Sequence, residues 1–267
     1  MFSVLLSIYK KEHPAYFKKS LDSIFSQTLL PDEIVLVKDG PLTDELEDLI
    51  REYQQKYSIL KVIPLPINQG LGKALNEGLK YCSYDLVARM DTDDISKPDR
   101  FEKQIKIFQE HPELDVVGAW IEEFEGDTSK VTSIRKLPEQ PSEIYEYGKK
   151  RSPINHPCVM YRKSAVLRVG GYHKFPEDYY LWGYMLKAGC KFYNIQESLL
   201  YFRFSRDVFR RRGGWSYAMK ELALQCELLR IGYINYRRFV LNVMIRFTTR
   251  MMPNRMREIF YKRMLRK

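Results

Sequence analysis

Strands and helices alternate through the first ninety or so residues, and this constrains the fold more than any other feature of the sequence. Residues 3–8 are a short apolar run with the character of a buried strand. Residues 15–28 then place Ala15, Phe17, Leu21, Ile24 and Phe25 at near-helical spacing, and Pro31 closes that helix. A second strand over 33–37 stops at the turn triplet Asp39-Gly40-Pro41. Thr43 or Asp44 caps a second helix running to about Tyr57. A third strand, 60–64, leads through Asn68-Gln69-Gly70-Leu71-Gly72 into a helix over 73–81, and a fourth, 86–90, runs straight into Asp91. Such alternation predicts right-handed crossovers and an α/β fold with a mainly parallel central sheet. Ligands gather beyond the carboxyl ends of the strands in sheets of this kind. Tyr9, Asp39 and Asp91 each lie just past a strand end, so three residues far apart in sequence are expected on one rim.

The second half is less regular. A helix is expected over 98–110, a strand over 116–124, and strand-like runs over 153–162 and 191–204. Between them stand the turn Gly170-Gly171-Tyr172 and a helix over 177–189 that closes on a glycine. Long basic helices follow from Trp215. Charge divides the chain at the same place: residues 205–267 carry 16 Lys+Arg and 4 Asp+Glu, or +12, while residues 1–204 carry −2. We therefore expect a main domain over 1–215 and a basic helical C-terminal region over 216–267. A cationic end implies an anionic partner: membrane lipid, a phosphorylated ligand or nucleic acid.

Several classes are excluded. With 45% hydrophobic and 29% charged residues the chain is neither disordered nor fibrous. Cys82, Cys158, Cys190 and Cys226 form no C-x-x-C pair, which argues against a zinc knuckle or a thioredoxin site and for free thiols in a reducing cytosol. The first apolar run has no basic leader and is too short for a signal peptide. The apolar stretch 239–247 contains Asn242 and Arg246 and falls far below the ~20 residues that span a bilayer, so no transmembrane helix is expected.

Five constellations carry chemistry. Asp91-Thr92-Asp93-Asp94 sets carboxylates at a strand end, where alternate ones point into one cleft and suit Mg2+ or Mn2+; the same acids also serve as a surface turn before the next helix. Glu177-Asp178 precedes the aromatic run Tyr179-Tyr180-Leu181-Trp182, so it is either a general base beside apolar surface or first-turn helix chemistry, and the two uses are compatible. The Asn68–Gly72 loop and Lys73 offer backbone N–H groups and a charge to an anion, or simply enter a helix. His156, in Asn155-His156-Pro157, has no metal-ligand spacing with His13, His111 or His173. Arg203, Arg206, Arg210, Arg211 and Arg212, before Gly213-Gly214-Trp215, match phosphate oxygens or form a wet basic surface.

Taken in order, these motifs resemble the family-2 inverting glycosyltransferases, which have the GT-A fold, a Rossmann-like fold for nucleotide-diphosphosugar transferases. The resemblance is carried by residues 4–9, 21–28, 35–40, 68–78, 89–94, 98–104, 155–157, 170–172 and 177–182, and covers about residues 1–215. It is nearest to bacterial enzymes that build exopolysaccharide, capsule or O-antigen units. It implies that Ser7, Tyr9 and Asp39 line the nucleoside pocket, Asp39 accepting from a uracil ring. Asn68, Gly72 and Lys73 would lie near the base or phosphates, Asp93 and Asp91 would hold Mn2+ or Mg2+, and Asp178 would be the catalytic base. His156, Glu177 and Trp182 would lie near the donor or acceptor sugar, and Arg211 and Arg212 would close over the diphosphate. Processive members carry Q-x-x-R-W after the base; here Arg211-Arg212-Gly213-Gly214-Trp215 stands instead, which implies transfer of a single sugar.

The resemblance thus implies an inverting, metal-dependent hexosyl- or N-acetylhexosaminyl-transferase. Its donor would be a nucleotide sugar, UDP-linked, and its acceptor a lipid-linked saccharide or an oligosaccharide. In the tail, Phe239, Val240, Val243, Met244, Phe247, Met251, Phe260 and Leu265 lie among arginines, the composition of an interfacial amphipathic helix, and Pro253 divides the segment. A cytoplasmic enzyme attached peripherally to the anionic inner face of the cell membrane is expected. The other uses of that segment are an interface, as in a homodimer, or a folded cap with a wet basic side. Two competing functions are a nucleic-acid-binding protein, for which no zinc module, RNA motif or helix-turn-helix is present, and a non-catalytic nucleotide-sugar-binding scaffold.

Overall fold

The computed structural model describes residues 1–204 and 213–252. The first half builds as its pattern dictates: β1 (Ser3–Ile8), α1 (Pro14–Phe25), β2 (Glu33–Lys38), α2 (Asp44–Lys56), β3 (Leu60–Pro64), α3 (Leu71–Tyr81) and β4 (Leu86–Arg89). β1, β2 and β4 are buried along almost their whole length, which is why they are continuous apolar runs rather than alternating ones. Helix α1 starts at Pro14, whose missing N–H costs nothing at a helix start, and ends three residues earlier than its spacing suggests. The cause is tertiary. The Gln27 side chain donates to the carbonyls of Ser23 and Lys97, and Thr28 N donates to Pro98 O, so the chain leaves the helix to bind a segment seventy residues away.

β5 (Ile95–Ser96), α4 (Arg100–Glu110), β6 (Val116–Phe124), β7 (Val131–Arg135) and α5 (Pro141–Gly148) come next. A single 3-10 turn, His156–Cys158, precedes β8 (Met160–Arg162), so only the end of the strand-like run at 153–162 is strand; Pro157 has no N–H for a ladder. Then come α6 (Lys163–Arg168), α7 (Glu177–Lys187), β9 (Phe192–Arg203), α8 (Trp215–Arg230) and α9 (Tyr236–Met251).

The strands form one nine-stranded mixed sheet in the order β3-β2-β1-β4-β8-β6-β9-β5, with β7 added on β6. β1 pairs in parallel with both β2 and β4, and β2 in parallel with β3, while β8 runs antiparallel to β4 and β6. Helices cover both faces. One core joins Leu5, Val35 and Val37 to α3, α5, α7 and α8; the other joins Val4, Leu6 and Leu36 to α1, α2 and α4. Leu224 and Leu228 of α8 and Tyr233 belong to the first core, so the described part of the C-terminal region is built onto the sheet domain. All four cysteines are free thiols, three of them buried.

Candidate active site

The ends of β1, β2 and β4 point the same way, and the strand order reverses about β1. This is the switch point at which open α/β sheets bind ligands. Ser7 is half-buried near the end of β1, exposed Tyr9 follows that strand, and Asp39 follows β2 directly. The rim expected from the sequence is therefore present.

Asp39 is buried, and it organises the loop before α3. Its two carboxylate oxygens accept the backbone N–H groups of Gln69 (2.7 Å) and Gly70 (3.0 Å), while Asn68 Nδ2 donates to the Asp39 carbonyl (3.1 Å). Gly40 makes this contact possible: its φ is +87°, and a Cβ there would lie 2.7 Å from Asn68 N. The loop delivers Gly72 and the exposed Lys73 in the first turn of α3. Gly72 in turn lies against the opposite wall, since a Cβ there would meet both Glu177 Cβ and His173 O at 3.2 Å. Asn76 of α3 clamps that wall, its Oδ1 accepting from Tyr172 N and its Nδ2 donating to Tyr172 O, both at 2.7 Å.

The acid turn follows β4. Carboxylate oxygens of Asp91, Asp93 and Asp94 all lie within 4.8 Å of one another. Asp94 is completely buried; its Oδ1 accepts from Arg203 N (2.8 Å) and its Oδ2 has no partner. Burial, with the charges of Asp91 and Glu12, pushes the Asp93 carboxyl up to about 7. Burial and the same crowding push Asp94 well above the usual carboxylate range. Thr92, between Asp91 and Asp93, donates to Glu12. Arg203 is spent on this turn: its Nε donates to Asp93 O (2.9 Å), and its guanidinium lies 3.8 Å from the Tyr16 ring centroid and 4.6 Å from that of Phe124. Crowded hard oxygens, one of them orphaned, are the donor set that a divalent cation such as Mg2+ or Mn2+ satisfies, so the residues present fit such an ion.

Arg89, the last residue of β4, links the acid turn to the other wall. It is 1% exposed, its Nη2 donates to Asp91 Oδ1, and its Nε and Nη1 have no partner. Burial and the Arg89 charge hold the His156 imidazole neutral, well below its usual pKa. His156 Nε2 lies 3.0 Å from the Tyr172 hydroxyl, which donates to Tyr161 (3.3 Å). Glu177 and Asp178 form the first turn of α7, where carboxylates are favoured at a helix N-terminus. Burial and the charge of Asp178 raise the Glu177 carboxyl, which also feels Arg89 and Asp91. Ser152 Oγ stands 3.5 Å from Asp178 Oδ2. Trp182 is set back from solvent: it is fully buried, and its ring meets that of His156 edge-on with centroids 6.0 Å apart. Arg211 and Arg212 lie outside the described residues.

The Asp39 loop thus meets the Glu177-Asp178 turn through Gly72, and the acid turn is tied to buried Arg89, whose charge Glu177 also feels. Sequence reasoning missed Arg89, Glu12 and the Asn76–Tyr172 clamp, and left Asp94 without a role. A signal existed for Arg89, a lone charge in a strand otherwise apolar and buried.

The profile of the family described as Glycosyl transferase family 2 matches residues 3–170. The chain is 40% identical over 268 residues to the UDP-Gal:alpha-D-GlcNAc-diphosphoundecaprenol beta-1,3-galactosyltransferase of Escherichia coli, covering 100% of this chain and 97% of that one. It is 38% identical over 265 residues to the amylovoran biosynthesis glycosyltransferase AmsE of Erwinia amylovora, covering 98% of each. Among solved structures, the mannosyltransferase PcManGT of Pyrobaculum calidifontis, in complex with GDP-Man and Mn2+, superposes with a TM-score of 0.65 over 92% of this chain and 68% of that one. At 15% identity that likeness is one of fold.

Proposed function

The chain belongs to glycosyl transferase family 2, and from that premise we propose that it moves one sugar from a UDP-linked donor to a hydroxyl of a lipid-linked saccharide, with inversion. It is a glycosyltransferase of polysaccharide synthesis acting on a nucleotide sugar. The donor base and acceptor class come from the Escherichia coli relative, whose name pairs UDP-Gal with a diphosphoundecaprenol acceptor. One observation carries the reading most directly: at the sheet's switch point the loop before α3 packs through Gly72 on the start of α7, and the turn after β4 crowds three carboxylates together, one of them bonded to buried Arg89.

In this reading Ser7, Tyr9 and Asp39 border the nucleoside, Asp39 chiefly by holding the loop in place, and Lys73 faces the phosphates. Asp93 and Asp91 would hold Mn2+ or Mg2+, with Asp94 the third carboxylate within reach, and such a cation when bound neutralises charge on the departing diphosphate. Asp178 takes the proton of the acceptor hydroxyl. The acceptor oxygen bonds to the anomeric carbon as the bond from that carbon to the phosphate oxygen breaks, and the nucleoside diphosphate leaves. Glu177 and His156 border the sugars, Arg211 and Arg212 close over the diphosphate, and attachment to the inner face of the membrane brings the acceptor within reach.

The test is transfer from a panel of UDP-sugars with Mn2+. Asp178→Asn is expected to lower transfer at least a thousandfold while UDP binding by calorimetry changes less than threefold, and Glu177→Gln to retain measurable transfer. Near-normal transfer by the Asp178 variant would sink the assignment of the base.

A further inference from the structure

We propose that the outer face of the α8–α9 hairpin is the surface that seats on an anionic lipid bilayer. The transferase reading, on which this rests, supplies the reason for a bilayer; the surface itself is set by the polarity of the helices.

Helix α9 is turned inside out. Its polar residues Asn242, Arg246 and Arg250 face the protein. Asn242 Nδ2 donates to Gln225 Oε1 and to Lys149 O, both at 2.8 Å, and the two arginines pair with Glu221 at 2.9 and 2.7 Å. The opposite arc, at helical spacing, carries Leu241, Met244, Ile245 and Met251, which are 43 to 56% exposed. A helix facing water shows the reverse arrangement.

The apolar face does not stop there. Trp215, 62% exposed, meets Phe247 of α9 edge-on with ring centroids 5.5 Å apart, and exposed Met219 lies one turn further along α8. Tyr217, in the same turn as Trp215, packs edge-on against exposed Phe175 at 5.8 Å, and Phe175 stands two residues before Glu177. The patch therefore runs from the start of α8 to the far end of α9, while Tyr217 and Phe175 lie on the other side of α8. Isolated exposed apolar residues are ordinary, whereas a continuous band marks an interface.

Charge selects the occupant. Arg237 is exposed on the outer arc of α9, exposed Lys220 lies 5.1 Å from the Phe175 ring centroid, and residues 205–267 carry +12 overall. An apolar band edged with cations complements anionic headgroups around a hydrocarbon layer. A second copy would oppose like charges across a two-fold axis. No helix among the described residues is long and apolar enough to cross a membrane, so the contact is a surface one. The attraction does not come from Arg246 and Arg250, which are turned inward onto Glu221 and do not face the headgroups.

The full-length protein is mixed, without donor or acceptor, with vesicles of phosphatidylethanolamine and phosphatidylglycerol and with neutral phosphatidylcholine vesicles, and bound protein is read by flotation. Wild type is expected to float with the anionic vesicles at least tenfold better than with the neutral ones. Met244→Glu with Ile245→Glu is expected to lower that binding at least tenfold, and Met219→Ser severalfold, with thermal midpoints unchanged. Absence of wild-type binding, or equal binding by the double variant, overturns the proposal. So does a wild-type dimer that the double variant converts to monomer without any vesicle binding by either. Since no nucleotide is present, these outcomes are separate from failure of the transferase reading, which would appear as vesicle-bound wild type giving no sugar transfer with any UDP-sugar and Mn2+.

Discussion

Arg89 is a full charge in the middle of the sheet, with one nitrogen on Asp91 and two without a partner. An isolated buried cation is too costly to keep, and this one persists because Asp91, the first residue of the turn that follows it, pairs with it. Arg89→Met should therefore lose more than a surface charge would: removing one member of a buried pair costs about 3–5 kcal/mol. Urea unfolding at pH 7 checks this, and a loss below about 1 kcal/mol, the size of a surface pair, would show that Arg89 is not the internal counter-charge. The acid run was legible in the sequence because three carboxylates directly after an apolar strand have few explanations. Arg89 showed only as a lone charge closing an apolar run; its burial was not legible, because it is made by β1 and β8, and β8 comes from residues more than seventy positions away.

At the scale of elements, two contacts set how α3 and the first strands hold the Asp39 loop. Gly78 lets α3 lie flat on the sheet: a Cβ there would fall 2.4 Å from Leu5 Cδ1 and 2.7 Å from Val37 Cγ2. Gly78→Ala overpacks this layer and is expected to cost about 1–3 kcal/mol despite alanine's better helix propensity, measured as a lower thermal midpoint. At the other end of β2, buried Glu33 accepts from Lys61 Nζ (2.6 Å), Ser3 Oγ, and the N–H and Oγ of Ser83, which joins β1, β2, β3 and the turn before β4. Burial alone would raise this carboxyl, but those four donors outweigh it and bring it down to about 2 from an ordinary 4.5. A depressed folded pKa gives stability that is fully present above the unfolded value and lost as pH falls toward the folded one. Acid unfolding between pH 4.5 and 2 should therefore be blunted in Glu33→Gln, whose stability is lower at neutral pH and changes less across that window. The strands β1 to β4, three of them almost wholly buried, were legible to within a residue or so. The pieces that escaped, β5, β7, α5 and α6, are short, and the two strands exist because β9 and β6 offer them partners, so tertiary pairing rather than propensity defines them.

For the whole molecule, the question is how the C-terminal hairpin is fixed to the sheet domain. The charge step at residue 205 marked a basic helical region read as a membrane-surface helix, an interface or a folded cap, and in the structure Leu224, Leu228 and Tyr233 of that region share a core with Trp182 and Leu186 of α7. The sequence could not show this because Arg246 and Arg250 count as surface charge until Glu221, 25 and 29 residues earlier, is seen to face them. Burial would raise the Glu221 carboxyl, but the two guanidiniums overcome that and lower it. The stability it contributes is therefore present above the ordinary carboxylate pKa and disappears as pH falls through the depressed folded value. Glu221→Ala leaves two guanidiniums in the seam; Arg246 keeps its bond to Lys150 O (2.8 Å) and Arg250 its place 4.7 Å from the Tyr217 ring centroid. With those contacts retained, the cost should fall near the lower end of the range for a broken buried pair, about 3 kcal/mol. Hydrogen exchange would locate it. Amides of α8 and α9 are expected to lose at least tenfold protection while those of β1, β2 and β4 keep theirs, because the hairpin packs on α7 and bonds to the carbonyls of Tyr145, Lys149 and Lys150 rather than to those strands. A loss of protection spread evenly over sheet and hairpin would mean that the two open as one unit, and that Glu221 fastens the whole fold rather than the surface carrying Met244 and Ile245.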